Sequence, residues 1–108
     1  MTNNEKVPEL TTNEFEDFVK KGFVLIDFFA EWCMPCLMMA PIIDELSEKF
    51  KGKIKFGKIS IEDNKELTKK FKVSSIPNFV LFNNGEPVEQ FMGSMASEAL
   101  EERLKKHL

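Results

Sequence analysis

Two cysteines, Cys33 and Cys36, are the residues of this chain best suited to do chemistry, and Met34 and Pro35 stand between them. They follow an apolar run and open a segment with helical periodicity, so both thiols are predicted in the first turn of a helix. Residues three apart on a helix have Cβ atoms about 5 to 6 Å apart, and a small adjustment gives disulfide geometry. The pair can therefore open and close without refolding of the chain.

The start of a helix also favours the ionised form of a thiol. Its unpaired backbone amides and its dipole stabilise an anion, which lowers the pKa of a cysteine below about 8.5. We expect Cys33 to be the outermost of the two thiols and the nucleophile in thiol–disulfide exchange. Cys36 lies one turn further in and is expected to be partly covered. It is then the resolving thiol, which attacks the mixed disulfide and frees the substrate.

Three other uses of the two cysteines are less favoured. A structural disulfide that closes so short a loop restricts the unfolded chain little, so it would stabilise the fold little. A zinc site needs four ligands, whereas the chain has one cysteine pair and a single distant histidine, His107, unless a dimer shares the metal. Buried core cysteines are common, but a pair flanking a proline at a strand-to-helix junction is a poor place for packing alone. We predict a redox-active pair with no metal and no bound cofactor.

The segments that position the cysteines alternate between strand and helix patterns. A helix at 11–22 begins with a capping-box sequence and precedes a strand at 23–30 that is apolar on both faces. The long helix at 34–50 contains Pro41, which is expected to kink it. Next come a strand at 53–61, a helix at 62–72, a hairpin turning at Asn84-Gly85 and a closing helix at 97–108. The order predicts an α/β fold in which a central mixed β-sheet is flanked by helices on both faces.

Composition and charge restrict the function further. The chain has 108 residues, 43% of them hydrophobic, with a formal net charge of -3, which fits one domain over residues 1–108. Its stretches without charge, such as 32–43, are all shorter than the about 20 apolar residues of a membrane-spanning helix. Nine lysines at 49–72 alternate in part with apolar residues, which favours a solvated strand face over a nucleic-acid site. The polar N-terminus does not read as a secretory signal, so we expect a cytoplasmic monomer.

Asp27 is the one acid in the apolar strand, and Lys58 is a second unusual charge. Apolar residues flank Asp27 on both sides, so its carboxylate is expected to be desolvated and its pKa raised. It precedes Cys33 by six positions, and it is expected to accept the proton of Cys36 through a water. Lys58 shares strand parity with Ile54 and Phe56, so it is expected to point to an apolar side. A structural acid at Asp27 and a snorkelling lysine at Lys58 are the alternatives.

The sequence Trp32-Cys33-Met34-Pro35-Cys36 after an apolar strand, with Ile76-Pro77 downstream, is far more specific than a bare Cys-x-x-Cys. On these residues, and on Ala40-Pro41, Asn84-Gly85 and Gly93, the chain resembles the thioredoxin family from about residue 10 to its end. The resemblance implies the thioredoxin fold and a dithiol–disulfide oxidoreductase. It also implies a cis peptide at Ile76-Pro77 that places Pro77 against the sulfurs, an Ile76 backbone that pairs with substrate, and a Lys58 near Asp27.

Two residues of the redox centre depart from the family pattern. Met34 replaces the familiar Gly between the cysteines, and Leu37 replaces the Lys or Arg often found after them. We assign redox tuning to Met34, Pro35 and Lys58. An apolar rim around the sulfurs is predicted from Trp32, Met34, Met92 and Met95. Met39 is assigned to the core. Met38 and Met95 are alternative members of the core. The predicted substrate-binding residues are Trp32, Ile76, Pro77, Met92 and Gly93.

The sequence thus predicts a protein-disulfide reductase that cycles between dithiol and disulfide. Its partners would be proteins with disulfides and a separate reductase of the thioredoxin-reductase type. The alternatives are a binding or assembly module of the same fold with an incidental dithiol, and a net oxidant or disulfide isomerase. A dithiol potential near about -270 mV favours the reductase, whereas about -120 to -180 mV favours the oxidant.

Overall fold

The structure is a computed structural model that describes residues 7–108. Its elements in chain order are α1 (Thr12–Val19), β1 (Phe23–Phe29), α2 (Met34–Lys49), β2 (Ile54–Ser60), α3 (Lys65–Lys70), β3 (Asn78–Asn83), β4 (Glu86–Met92) and α4 (Ser97–Lys105). The strands form one sheet in the order β2-β1-β3-β4. β1 pairs with β2 in parallel and with β3 antiparallel, and β3 pairs with β4 antiparallel. The predicted mixed sheet is confirmed.

Helices cover both faces of this sheet, as predicted. One core contains Leu25 with side chains of α2 and α4, and the other contains Val24 with side chains of α1 and α3. Successive side chains of a strand point to opposite faces. Asp27 shares the face of Leu25, so its carboxyl points toward α2 and not toward α1 and α3.

The central position of β1 explains its apolar sequence. Both of its edges are paired and both of its faces are covered, so five of its seven residues are buried. α2 begins after the carboxyl end of β1 and buries Cys36, Met39, Ile43 and Leu46. The helix continues through Pro41. This arrangement brings the start of α2 to the same end of the sheet as the carboxyl end of β1.

The ends of the helices differ from the sequence prediction. α3 is shorter than the predicted 62–72, because Asn64 stands before its first turn and donates its side-chain amide to the Ser60 carbonyl at 2.9 Å. Lys72, at a φ of 54°, follows its end. The predicted hairpin is confirmed, with Asn84 at a φ of 51° and Gly85 at 88°, as its tight turn requires. Within residues 7–108, no helix is long and apolar enough to cross a bilayer.

Candidate redox site

Cys33 and Cys36 form a disulfide at the start of α2, with their Cα atoms 5.3 Å apart. Cys33 is the N-cap residue, and its Sγ accepts a hydrogen bond of 3.2 Å from the backbone N–H of Cys36. Pro35 occupies the first turn, where a proline leaves no helical hydrogen bond unmade. The predicted placement of both thiols at a helix N-terminus is confirmed.

The expected difference in exposure between the two cysteines is not present in the disulfide. Cys33 is 4% exposed and Cys36 is 7% exposed, so Cys33 is not the outermost. Both sulfur-bearing residues pack with Ala30, and Phe29, Ile61 and Ile76 lie against this small cluster. The prediction was wrong on exposure because the downstream segments that carry Ile61 and Ile76 cover the helix start. What distinguishes Cys33 is its position as N-cap.

Asp27 is buried below the disulfide, at 8% exposure. Its Oδ1 accepts no hydrogen bond from any residue of the described range. Burial raises the pKa of Asp27 to about 7, and the positive charge of Lys58 opposes that increase. The predicted desolvation of this carboxyl is therefore confirmed, and Asp27 can gain or lose a proton near neutral pH.

Lys58 lies directly across from Asp27 in the parallel register of β1 and β2. Its side chain is half-buried, and its Nζ stands 5.4 Å from the centre of the Phe29 ring. Its backbone is fixed by a bond from the Lys58 N–H to the Pro8 carbonyl at 3.0 Å. Both residues line a cavity of about 70 Å³. Its other lining residues are Phe29, Cys36, Leu37, Ala40 and Ile43. Cys36 lines this cavity and Cys33 does not.

The segment that precedes β3 lies beside the disulfide. Its Ile76-Pro77 peptide bond is cis, as the family resemblance implies. Ile76 is half-buried and packs against the cysteine cluster, whereas Pro77 is buried. The Pro77 carbonyl accepts a 2.8 Å hydrogen bond from the Gly93 N–H, and the Ser75 hydroxyl donates to Met92 Sδ at 2.8 Å. These bonds hold the end of β4 next to the predicted substrate-binding residues.

Three of the four residues predicted to form the apolar rim are exposed, and the fourth is not. Trp32, Met34 and Met92 are 66%, 64% and 54% exposed. Met95 is half-buried against the core of α2 and α4, so its assignment to the rim was wrong. Met39 is buried as predicted, whereas Met38 is 70% exposed, so Met38 does not belong to the core.

Two features of the site are absent from the sequence prediction. Glu62 accepts a hydrogen bond of 2.8 Å from the Trp32 indole Nε1, which holds the ring beside the disulfide. No sequence signal indicated this contact, because the two residues are 30 positions apart and both are exposed. Leu37 is 52% exposed next to Met38. The replacement of the family's Lys or Arg by Leu at this position was a sequence signal for an unusual surface, but Leu37 was not predicted to bind substrate.

Residues 7–108 contain no cluster of three or more His, Cys, Asp or Glu side chains placed to bind a metal ion. The single histidine, His107, lies with its Nε2 2.6 Å from Glu89 Oε1. Glu89 also accepts from Arg103 Nε at 2.8 Å. Partial burial opposes ionisation of Glu89, but these two partners outweigh it and lower its pKa. His107 thus pairs with a carboxylate of β4.

Comparison with known proteins agrees with this geometry. The family model described as Thioredoxin matches residues 6–106 of the chain. Curated proteins named Thioredoxin from Staphylococcus saprophyticus and Staphylococcus haemolyticus are each 38% identical over 102 residues. One from Staphylococcus aureus is 37% identical over the same length. Each match covers 94% of this chain and 98% of the relative.

Proposed function

This chain belongs to the thioredoxin family and is a protein-disulfide reductase, and within that activity we propose that Cys33 is the attacking thiol and Cys36 the resolving thiol. One observation carries the assignment: Cys33 is the N-cap of α2, and its sulfur accepts the backbone N–H of Cys36. In the reduced protein the same amide and the helix dipole would stabilise a thiolate on Cys33. The ionised thiol is the nucleophile in disulfide exchange.

The proposed cycle balances two electrons and two protons. The Cys33 thiolate attacks one sulfur of the substrate disulfide, that S–S bond breaks, and a mixed disulfide forms while the other substrate sulfur leaves as a thiolate. Cys36 then loses its proton and attacks Cys33 Sγ, which releases the second substrate sulfur. The substrate gains two electrons, and the protein is left with the Cys33–Cys36 disulfide.

We assign Asp27 as the acceptor of the Cys36 proton. The support is that the cavity of about 70 Å³ is lined by Asp27 and Cys36 and not by Cys33. A cavity of this size has room for water, which needs about 15 Å³ in this measure, so a water can relay the proton. A carboxyl with a pKa of about 7 is also matched to proton transfer near neutral pH. Lys58, on the same cavity, tunes this transfer by favouring the ionised carboxyl.

We propose that the substrate segment lies between the Ile76-Pro77 bend and the rim, in contact with Trp32, Met92 and Gly93. Ile76 supports this placement because it packs against the cysteines, so a strand beside it would bring a sulfur to Cys33. Trp32 and Met92 contribute exposed apolar surface. Met34 and Pro35, which lie between the cysteines, are proposed to set the dithiol potential together with Lys58.

The electrons used in each cycle must be replaced, and we assign that step to a separate reductase of the thioredoxin-reductase type. It would attack the Cys33–Cys36 disulfide from the same exposed side that substrates use. We further propose that the protein acts as a single-domain monomer in the cytoplasm, where thiols are kept reduced. To test this step, a catalytic amount of such a reductase is added to the oxidised purified protein, and the rate at which the Cys33–Cys36 disulfide is reduced is measured.

A trapping experiment tests the two cysteine roles. Pre-reduced Cys36→Ser is mixed with a defined protein disulfide such as insulin, and the products are analysed by mass spectrometry without reductant. We expect a stable mixed disulfide on Cys33, because the resolving thiol is absent. The matched variant Cys33→Ser should form no adduct at early times and should lose turnover. If Cys33→Ser retains the turnover of the wild type, the assignment of the nucleophile is wrong.

A further inference from the structure

An exposed apolar stripe runs along α2 beside the disulfide. It consists of Met34, Leu37, Met38 and Pro41, all exposed, and the first three are exposed by 64%, 52% and 70%. Residues at i, i+3, i+4 and i+7 share one helix face. A surface helix ordinarily places polar or charged side chains on the face that points to water. The start of α2 is apolar on its outer face as well as on its buried face.

This stripe belongs to a larger exposed group. Among the described residues, seven large hydrophobic side chains are exposed, and five of them surround the disulfide: Trp32, Met34, Leu37, Met38 and Met92. Single exposed apolar side chains, such as Val88 and Leu108, need no explanation, whereas a contiguous group indicates an interaction surface. Trp32 and Met92 lie with the proposed substrate segment. Leu37 and Met38 extend the apolar surface in another direction, along the helix.

The stripe lies close enough to Cys33 for a bound protein substrate to reach it. A typical interface buries about 800 Å² of each partner, which corresponds to a disc of about 16 Å radius. Met38 is five residues from Cys33, or roughly 7.5 Å along the helix axis. A footprint of this radius centred on Cys33 is therefore wide enough to include Leu37 and Met38. This step rests on the proposed function, since it takes Cys33 as the point of attack.

The chemistry of the stripe determines what it accepts. Residues 32–43 carry no charge, and their one side-chain hydrogen-bond donor, the Trp32 indole, is bonded to Glu62. A charged side chain covered by this surface would lose water and gain no partner, whereas an apolar side chain would bury area favourably. We propose that Leu37 and Met38, assisted by Met34, make the protein select disulfides that are flanked by apolar residues over disulfides flanked by charged ones.

The substitution Met38→Gln tests the stripe without changing its charge or its helix, since it introduces a neutral side chain of similar length with good helix propensity. Leu37 is left unchanged because it also lines the cavity of Asp27 and Cys36. Leu108→Gln is the matched control, because Leu108 is also 52% exposed and lies beyond the end of α4. Three substrates are compared: two peptide disulfides that differ only in Leu or Glu next to each cysteine, and bis(2-hydroxyethyl) disulfide. The quantity measured is the second-order rate constant of the pre-reduced protein.

We expect the wild type to reduce the Leu-flanked peptide about tenfold faster than the Glu-flanked one. Met38→Gln should lose about threefold to tenfold on the Leu-flanked peptide, because part of one apolar side chain is no longer buried. The two other substrates should react at nearly unchanged rates with Met38→Gln, and Leu108→Gln should behave as the wild type with all three.

Several results would overturn this inference. Equal rate constants of the wild type for the two peptides would show that the stripe selects nothing. An equal loss of Met38→Gln on bis(2-hydroxyethyl) disulfide would show that Met38 acts on the thiol chemistry and not on docking. A dimer in sedimentation that Met38→Gln separates would assign the stripe to a second copy of this chain. If Cys36→Ser forms no adduct with any disulfide, the proposed function fails instead, independently of the stripe.

Discussion

Asp27 is expected to lower the stability of the oxidised protein as the pH rises from about 4 to 8. The pKa of this carboxyl is about 7 in the folded state, where burial raises it, against about 3.9 in an unfolded chain. Between these two values the folded state holds a proton that the unfolded state has released. The free energy of unfolding therefore decreases as the pH increases through this window.

The size of the effect follows from the shift in pKa. The folded and unfolded values differ by roughly three units, and each unit corresponds to about 1.4 kcal/mol, so the total is about 4 kcal/mol. About 2 kcal/mol should already be lost at pH 5.5. The physical cause is a carboxylate whose Oδ1 receives no hydrogen bond from the described residues. This cost is a large part of the about 5 to 15 kcal/mol by which a domain is stable.

Urea unfolding of the oxidised wild type and of Asp27→Asn, at half-unit steps from pH 4 to pH 8, measures this effect. Asn has nearly the shape of Asp and does not titrate, so the difference between the two curves isolates Asp27. The pKa of Glu89 is also shifted, since its partners lower it, but Glu89 is present in both proteins. Its contribution to the pH dependence of unfolding therefore cancels in the difference. We expect the variant to gain about 4 kcal/mol relative to the wild type across the range, and to turn over more slowly because Cys36 loses its proposed proton acceptor.

The exposed Asp63 offers a matched control, since Asp63→Asn removes the same charge without any burial. Asp27→Ala should follow the same slope as Asp27→Asn, displaced by the cost of the cavity that Ala leaves. A difference between wild type and Asp27→Asn that stays constant within about 1 kcal/mol from pH 4 to pH 8 would refute the reasoning. It would mean that Asp27 is solvated or paired in the folded protein.

Two further predictions concern neighbours of the disulfide. Lys58→Met removes the positive charge that favours the Asp27 carboxylate, so it should raise the folded-state pKa of Asp27. In the Lys58→Met background, the stability difference between Asp27 and Asp27→Asn should begin at the same pH but continue to grow to a higher pH and a larger total; an unchanged upper limit would contradict the assigned role of Lys58. Glu62→Ala frees the indole of Trp32, the one tryptophan of the chain, so its fluorescence anisotropy should fall. Reduction of a protein disulfide should slow about twofold to fivefold, with Glu31→Ala as the control.

Much of the fold could be predicted from the sequence because local patterns and tertiary structure agree. The run at 23–29 is apolar on both faces, and β1 is buried on both faces. Asn84-Gly85 predicts a tight turn, and both residues adopt positive φ there. The ends of α3 were not predictable, since they depend on the bond from Asn64 to Ser60 and on the contact of Asn64 with Thr12, 52 positions away.

The site shows the same division between local and distant causes. Asp27 could be identified because one acid in an apolar strand is an anomaly that the strand itself displays. The exposure of Met38 could not, because residues 34–43 are apolar on every side of the helix, so their periodicity does not select a buried face. Only the packing of Met39 and Ile43 against the sheet determines that Met38 points outward.

The unequal roles proposed for the two cysteines follow from one turn of α2 and not from exposure. Breaking the S–S bond would leave Cys33 Sγ next to the backbone N–H of Cys36, a donor that favours a thiolate. The same event would leave Cys36 on the cavity that contains Asp27, a carboxyl surrounded by apolar groups. A negative charge is stabilised at the first position and opposed at the second until Asp27 takes the proton. The helix start thus gives the two sulfurs different surroundings while both remain buried, which is the basis of the roles proposed for them.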